Sequence, residues 1–270
     1  MKWLARSSSR VLVAIFCVVM ALLLAAVGFA TWNNEKSQKS TMVSAAQNWM
    51  PFTMQPTEAW YSWAFQDTAN KKSMTSENAK TEQNTTESMI KLWIGADYLV
   101  GLSEQGRAPD AAEQALLRDM IRISDDNAAE ILYQARGADA VIERLISGAD
   151  LKDTTVHSGW WSLTEMSAWD ATEMFNYVLA LSRGDPWIAW LVEQARNVDP
   201  SNAFGIPQVL PEGTSYVVKN GWTPQGDEWH LNCLAGWDGK VLAVLTRYPV
   251  ELGEEYGAQV CADIASQLTP

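Results

Sequence analysis

Between Met89 and Val100 the chain reads MIKLWIGADYLV, apolar on nearly every side if wound into a helix. Only Lys91 and Asp97 interrupt it. A helix that is apolar all round cannot sit on a surface, so the remainder of the domain has to be built around this one. The segment begins at Ser88, preceded by Thr85-Thr86-Glu87, which reads as a helix start with backbone N–H groups facing outward. Ser88 and Lys91 are then three residues apart on one helical face. An enclosed lysine has its charged form disfavoured, which makes Lys91 a candidate base for the Ser88 hydroxyl. A capping serine and a snorkelling lysine would give the same spacing.

Two further short segments follow. Ser124-Asp125-Asp126 lies at the end of the apolar stretch Met120–Ile123 and before the small residues Ala128-Ala129, an N-cap arrangement in its own right. Lys219-Asn220-Gly221-Trp222 ends the strand-like run Ser215–Val218. Together with Ser88-Met89-Ile90-Lys91 they resemble the S-x-x-K, S-D-N and K-T-G motifs of class A β-lactamases and penicillin-binding proteins, in the same chain order. The first motif is intact and the other two each carry one substitution. The SMIK, SDD and KNGW forms look closest to exported actinobacterial β-lactamase-like proteins.

The resemblance implies a fold and a set of roles. The fold is α/β (α+β), β-lactamase/transpeptidase-like, an antiparallel sheet flanked by helices. Ser88 is the expected nucleophile, Lys91 its base and Ser124 the proton shuttle near the leaving group. Lys219 supplies a positive field for a substrate carboxylate and for Ser124. Asp126, Asn220, Gly221 and Trp222 are the expected substrate-binding residues, with the Trp222 N–H as an oxyanion donor. Asp126 stands where the family has Asn, and an ionised Asp cannot donate to a substrate amide; a shift of one residue would offer Asn127. Asn220 replaces a Thr or Ser hydroxyl with an amide donor. Class A enzymes also carry a Glu on an Ω-shaped loop that activates the deacylating water. The corresponding interval, Asp150–Trp161, contains only Asp150 and Asp153 as acids.

The elements read from pattern fit that layout. Ala59–Gln66 reads as a strand, and Asp67–Thr85 as a loop or ragged hairpin. Helices are expected over Pro109–Ile123, Asp126–Arg136 and Ala138–Ser147. Ser162-Leu163-Thr164-Glu165 has the spacing of a capping box and is expected to open a helix running to Ser182. Pro186 opens the next one. Strands follow over Thr214–Lys219, Glu228–Gly236 and Lys240–Thr246, the last two joined by the turn pair Asp238-Gly239, and a final helix covers Glu251–Leu268.

Ahead of this domain, Lys2, Arg6 and Arg10 precede an uncharged run from Val11 to Ala30. About twenty apolar residues suffice to span a bilayer. The run is longer than the apolar core of a cleaved signal, and Gly28-Phe29-Ala30 is the alternative cleavage site. It reads as a signal anchor over residues 1–30 with the bulk exported. A linker and short helix are expected over 31–58 and the hydrolase-like domain over 59–270. No cysteine sits where a lipid would be attached, since Cys17 is in mid-run. Cys233 and Cys261 are an even pair in a compartment that permits disulfides. In the resembled fold the final helix packs on the sheet, which would bring the two together; two buried thiols are the other reading.

Beyond residue 40 the chain carries a net charge of about −16, which speaks against nucleic acid and anionic headgroups as partners. The only histidines are His157 and His230, in unrelated contexts, so neither a metal site nor a cofactor is expected. The expected partner is a small molecule or a peptidoglycan peptide, bound by a monomer tethered to the membrane by its N-terminal helix. The fourteen tryptophans invite a glycan-binding reading, above all at Trp160-Trp161 and Trp222, although most are expected in the core. A non-catalytic wall-associated binding or regulatory module on the same scaffold is the alternative to an enzyme.

Overall fold

The computed structural model describes residues 57–269. The apolar run Val11–Ala30, the linker and the expected helix at Met42–Trp49 lie outside the described residues. Among those described, no helix is long and apolar enough to cross a membrane.

The apolar segment forms helix α1, Lys91–Glu104, and the fold is assembled round it. Eleven of its residues are buried, including both interruptions of the apolar pattern. Each buried charge is answered. Asp97 accepts Arg136 Nε at 2.9 Å and Arg144 Nε at 2.6 Å, and Lys91 is bonded at the functional site. An isolated charge at either position would cost several kcal/mol. Helices α2 (Ala111–Arg122), α3 (Asp126–Ala135), α4 (Ala140–Gly148), α5 (Ala168–Ser182) and α6 (Pro186–Arg196) pack in the lobe that holds α1. Their starts are fixed by side-chain caps: Asp110 and Glu113 form a capping box, Asp125 accepts from Ala128 N in the N-cap arrangement read from sequence, and Asp185 caps the Pro186 helix.

The other layer is an antiparallel sheet. Strand β1 (Trp60–Asp67) pairs with β2 (Lys72–Thr75) on one side and with β9 (Lys240–Pro249) on the other. β9 pairs with β8 (Glu228–Trp237), and β8 carries β6 (Tyr216–Val218) and β7 (Gly221–Gln225) along its far edge. The N-terminal strand therefore joins the C-terminal hairpin, as the element order implied. The edge strand opposite β8 is interrupted at Lys219-Asn220 and resumes as β7, whereas the sequence pattern read it as ending at Lys219. Helix α7 (Glu254–Ser266) packs on β8 and β9.

One expected boundary is corrected. Ser162 and Glu165 do not form a capping box. Glu165–Ser167 is strand β5, paired with β3 (Gln83–Thr85) and β4 (Thr154–Thr155) in a small three-stranded sheet. The α5 helix starts later, where Ser167 accepts from Asp170 N. The backbone bonds of that ladder outweigh the local capping pattern. Asp170 in turn is buried and accepts Lys152 N, Asp153 N and Thr154 Oγ1, at 3.1, 2.7 and 2.8 Å, which holds the preceding loop to α5.

Cys233 of β8 and Cys261 of α7 form a disulfide. Gly205, at φ +73°, lies against it, since a Cβ there would come within 2.8 Å of both cysteines. The two cysteines are 28 residues apart, and closing a loop of that length stabilises by about 3–4 kcal/mol on chain-entropy grounds. Replacing both cysteines with alanine should lower the urea-unfolding free energy by about that amount. A change below about 1 kcal/mol would show that the bridge does not constrain the unfolded chain.

Candidate functional site

Ser88 is carried by a single 3₁₀ turn, Glu87–Ile90, that runs directly into α1. The chain entering that turn is anchored to the sheet from several sides. Asn84 donates to Asn232 Oδ1 at 2.8 Å and to Thr246 O at 3.1 Å, and Asn232 donates back to Thr85 O at 2.7 Å. Thr86 N donates to Thr164 O at 2.8 Å. Glu87, immediately before the serine, has φ +47°, a left-handed conformation that a side chain adopts only when its surroundings impose it.

Gly221 is the tightest of these constraints. A Cβ at that position would lie 2.5 Å from Thr86 O and Met89 N and 2.7 Å from Ser88 N. The glycine was expected among the substrate-binding residues. It is buried instead, and its missing side chain lets β7 press against the turn that holds Ser88.

Beneath Ser88 the helical lobe and the sheet each contribute one lysine, and both reach Ser124. Ser124 links α2 to α3 and also has a left-handed backbone, φ +60°. Lys219 Nζ donates to Ser124 Oγ at 2.8 Å. Lys91 Nζ donates to Ser124 O at 2.7 Å, lies 3.4 Å from Ser124 Oγ, and is ion-paired with Asp126. The Lys91 side chain is wholly enclosed, with its Nζ 4.9 Å from the centre of the Trp161 ring, while the Asp126 side chain is 79% exposed. Burial holds the Lys91 ammonium below the ordinary lysine range, with Asp126 and Asp125 opposing the shift. Lys219 is pushed much further down, by burial first and then by the charge of Lys91.

Above these groups is an open cavity of about 690 Å³. Ser88, Ser124, Asp126, Asn127 and Trp222 line it. The structure thus brings Ser88, Lys91, Ser124, Asp126, Lys219 and Trp222 to one place. Ser88 Oγ makes no hydrogen bond to Lys91 or to any other group among the described residues. Asn220 has a different role from the one expected. Its amide donates to Asn202 O at 3.2 Å and Phe204 O at 3.1 Å, and its oxygen accepts from Leu234 N at 3.2 Å. The side chain is buried and its hydrogen bonds are spent inside the protein, so it spans the interruption between β6 and β7 and offers nothing to a ligand.

Two lining carboxylates, Glu87 and Glu130, were not singled out from sequence, whereas Trp160 and Trp161 were. Glu87 is buried against Thr85 and Gln225, and burial raises its carboxyl above the ordinary value. Its position before a helix start makes it look like a simple partner of the helix dipole. Glu130, from α3, accepts Trp161 Nε1 at 3.1 Å. Trp160 is 63% exposed at the cavity rim and Trp161 is buried beneath it. Asp150, Asp153 and Glu165 do not line the cavity; Asp150 is an exposed partner of Lys152. No group of His, Cys, Asp and Glu able to hold a metal occurs among the described residues.

No protein-family model matches the sequence. Among curated proteins, "Putative lipoprotein LppW" of Mycobacterium tuberculosis and its Mycobacterium bovis counterpart are 29% identical over 154 residues, 54% of this chain and 49% of theirs. The chain spans about half the length of those relatives. Among solved structures, a β-lactamase from Chitinophaga pinensis superposes with a TM-score of 0.66 at 14% identity, over 87% of this chain and 98% of that one. A β-lactamase from Burkholderia vietnamiensis gives 0.64 at 16%, over 78% and 90%. A variant of the last common ancestor of Gram-negative class A β-lactamases gives 0.61 at 18%, over 78% and 91%. The chain has the class A β-lactamase fold; at these identities the likeness speaks for fold alone.

The Gly221 contact gives a direct test of the site's construction. Gly221→Ala should destabilise the protein by about 2–3 kcal/mol in urea, because the atoms in its way are backbone and cannot turn aside. Stability within about 0.5 kcal/mol of the wild type would mean that β7 does not press on the serine turn as described.

Proposed function

We propose that the protein is an exported serine acyl-transfer hydrolase acting on β-lactam, D-Ala-D-Ala-like peptide or ester donors. The observation that carries this reading is that Ser88 opens onto the same cavity as Ser124, whose hydroxyl is held by Lys219 and approached by Lys91. Ser88 Oγ attacks the donor carbonyl and gives its proton to the Lys91 amine. The backbone N–H groups of Ser88 and Trp222 receive the oxyanion. Ser124 passes a proton to the leaving group and is resupplied from the lysine side. The Ser88 ester that results is released when water attacks it.

Release is the slow step on this reading. The three carboxylates that line the cavity are each engaged: Asp126 with Lys91, Glu130 with Trp161, and Glu87 with Thr85 and Gln225. Lack of a free base to activate water costs about 10²–10⁴ in rate. The protein then behaves like a penicillin-binding protein, keeping its acyl group.

Export and membrane attachment rest on the basic-flanked apolar run at Val11–Ala30, and the name of the mycobacterial relatives points the same way. A single-pass anchor with the domain outside the cell, as a monomer, is the arrangement we favour. A second reading, a non-catalytic binding module, is favoured by one observation: Asp126 pairs with Lys91 and opposes loss of its proton.

A fluorescent penicillin should label the wild type covalently, with an adduct mapped to Ser88 that persists for many minutes, and Ser88→Ala should remain unlabelled. Rapid clearance of a chromogenic cephalosporin by wild type alone would replace this reading with a true β-lactamase. Absence of any adduct with β-lactams or activated esters would leave the binding module.

A further inference from the structure

The cavity beside Ser88 has an unusual lining for a site meant to hold an anion. Among the described residues no lysine, arginine or histidine lines it. Three carboxylates, Glu87, Asp126 and Glu130, do, together with three indoles, Trp160, Trp161 and Trp222. The two lysines beneath its floor do little to reverse the field. Lys91 is offset by Asp126, and Lys219 is wholly buried with its charged form disfavoured. Two of the indoles are held in place: Trp161 donates to Glu130, and Trp222 meets the Phe204 ring edge-on at 5.0 Å between centroids. Trp160 presents a large apolar ring to solvent at the rim, where no core packing explains it.

Indole faces attract cations through their quadrupole, and carboxylates beside them add direct Coulomb attraction. An anion in the same space would face carboxylates with no cation in the lining to answer it. The volume accommodates a branched or peptide-sized group. We propose that this cavity recognises an ammonium group, primary or quaternary, on the ligand it binds. Taken with the acyl-transfer reading, on which this step rests, it identifies the donor as one whose acyl portion carries an amine, such as an amino-bearing peptide or an amino-bearing β-lactam.

Calorimetric titration of the full chain with choline, with its uncharged carbon isostere dimethylbutanol, and with dimethylbutyrate tests this. Choline should bind about tenfold more tightly than the alcohol and more tightly than the carboxylate. Glu130→Gln, which keeps the acceptor for Trp161, should weaken choline about threefold or more while leaving the alcohol unchanged. Trp160→Ala, at an exposed position, should weaken choline by a similar factor. Equal or tighter binding of the alcohol would show that the rings read shape alone, as for a sugar. Tighter binding of the carboxylate, or no choline binding at millimolar concentration, would overturn the proposal outright. The Ser88→Ala chain separates the two claims. Choline binding retained there, with no ester ever acylating the wild type, would sink the hydrolase reading and leave ammonium recognition standing.

Discussion

The structure turns on a lysine that has no route to water. Lys91 is the first residue of α1, its side chain is wholly enclosed, and its ammonium is bonded to the Ser124 carbonyl and paired with Asp126. A buried amine left without partners would cost several kcal/mol, so the α2–α3 junction has to come to it. That requirement accounts for the left-handed backbone at Ser124, which turns both its carbonyl and its hydroxyl toward the lysines. Lys219 then approaches the same hydroxyl from the sheet. One serine side chain thus bridges the helical lobe and the β-layer. On the other wall, Gly221 presses β7 on the serine turn.

Much of this was legible in the sequence because its causes are local. The apolar run around α1, the Asp125 cap, the Pro186 helix start and the Asp238-Gly239 turn are each decided by a few neighbouring residues. The spacing and order of the three motifs carried the fold by resemblance. What could not be read arises from contacts distant along the chain. Ser162 and Glu165 make a valid capping pattern, but the β3 and β4 strands claim that backbone. Asn220 looked like a ligand donor because nothing near it in sequence shows that the carbonyls of Asn202 and Phe204 will face it. Gly221 shows its purpose only when β7 is laid against the serine turn, where a Cβ would come within 2.7 Å of its backbone. Glu87 and Glu130 carried no motif, and their place in the cavity depends on how the lobes meet.

The two functional readings differ in what Asp126 does to Lys91. The carboxylate is largely exposed, so solvent screens its hold on the ammonium, whereas the lysine itself is fully desolvated. Desolvation is the larger influence and Asp126 the opposing one, which keeps the lysine within reach of losing its proton. The site therefore sets a serine and two lysines beneath a cavity lined by carboxylates and indoles.

The central claim is that buried Lys91 activates Ser88, and the pH dependence of labelling by a small fluorophosphonate measures this without presuming any natural donor. The rate of Ser88 modification should rise with pH as Lys91 loses its proton, with a midpoint below the ordinary lysine value of 10.5, because burial disfavours the charged form. Lys91→Met, which keeps the volume and removes the amine, should abolish that rise. A rate that is negligible at every pH, or one that climbs identically in Lys91→Met, would contradict the account.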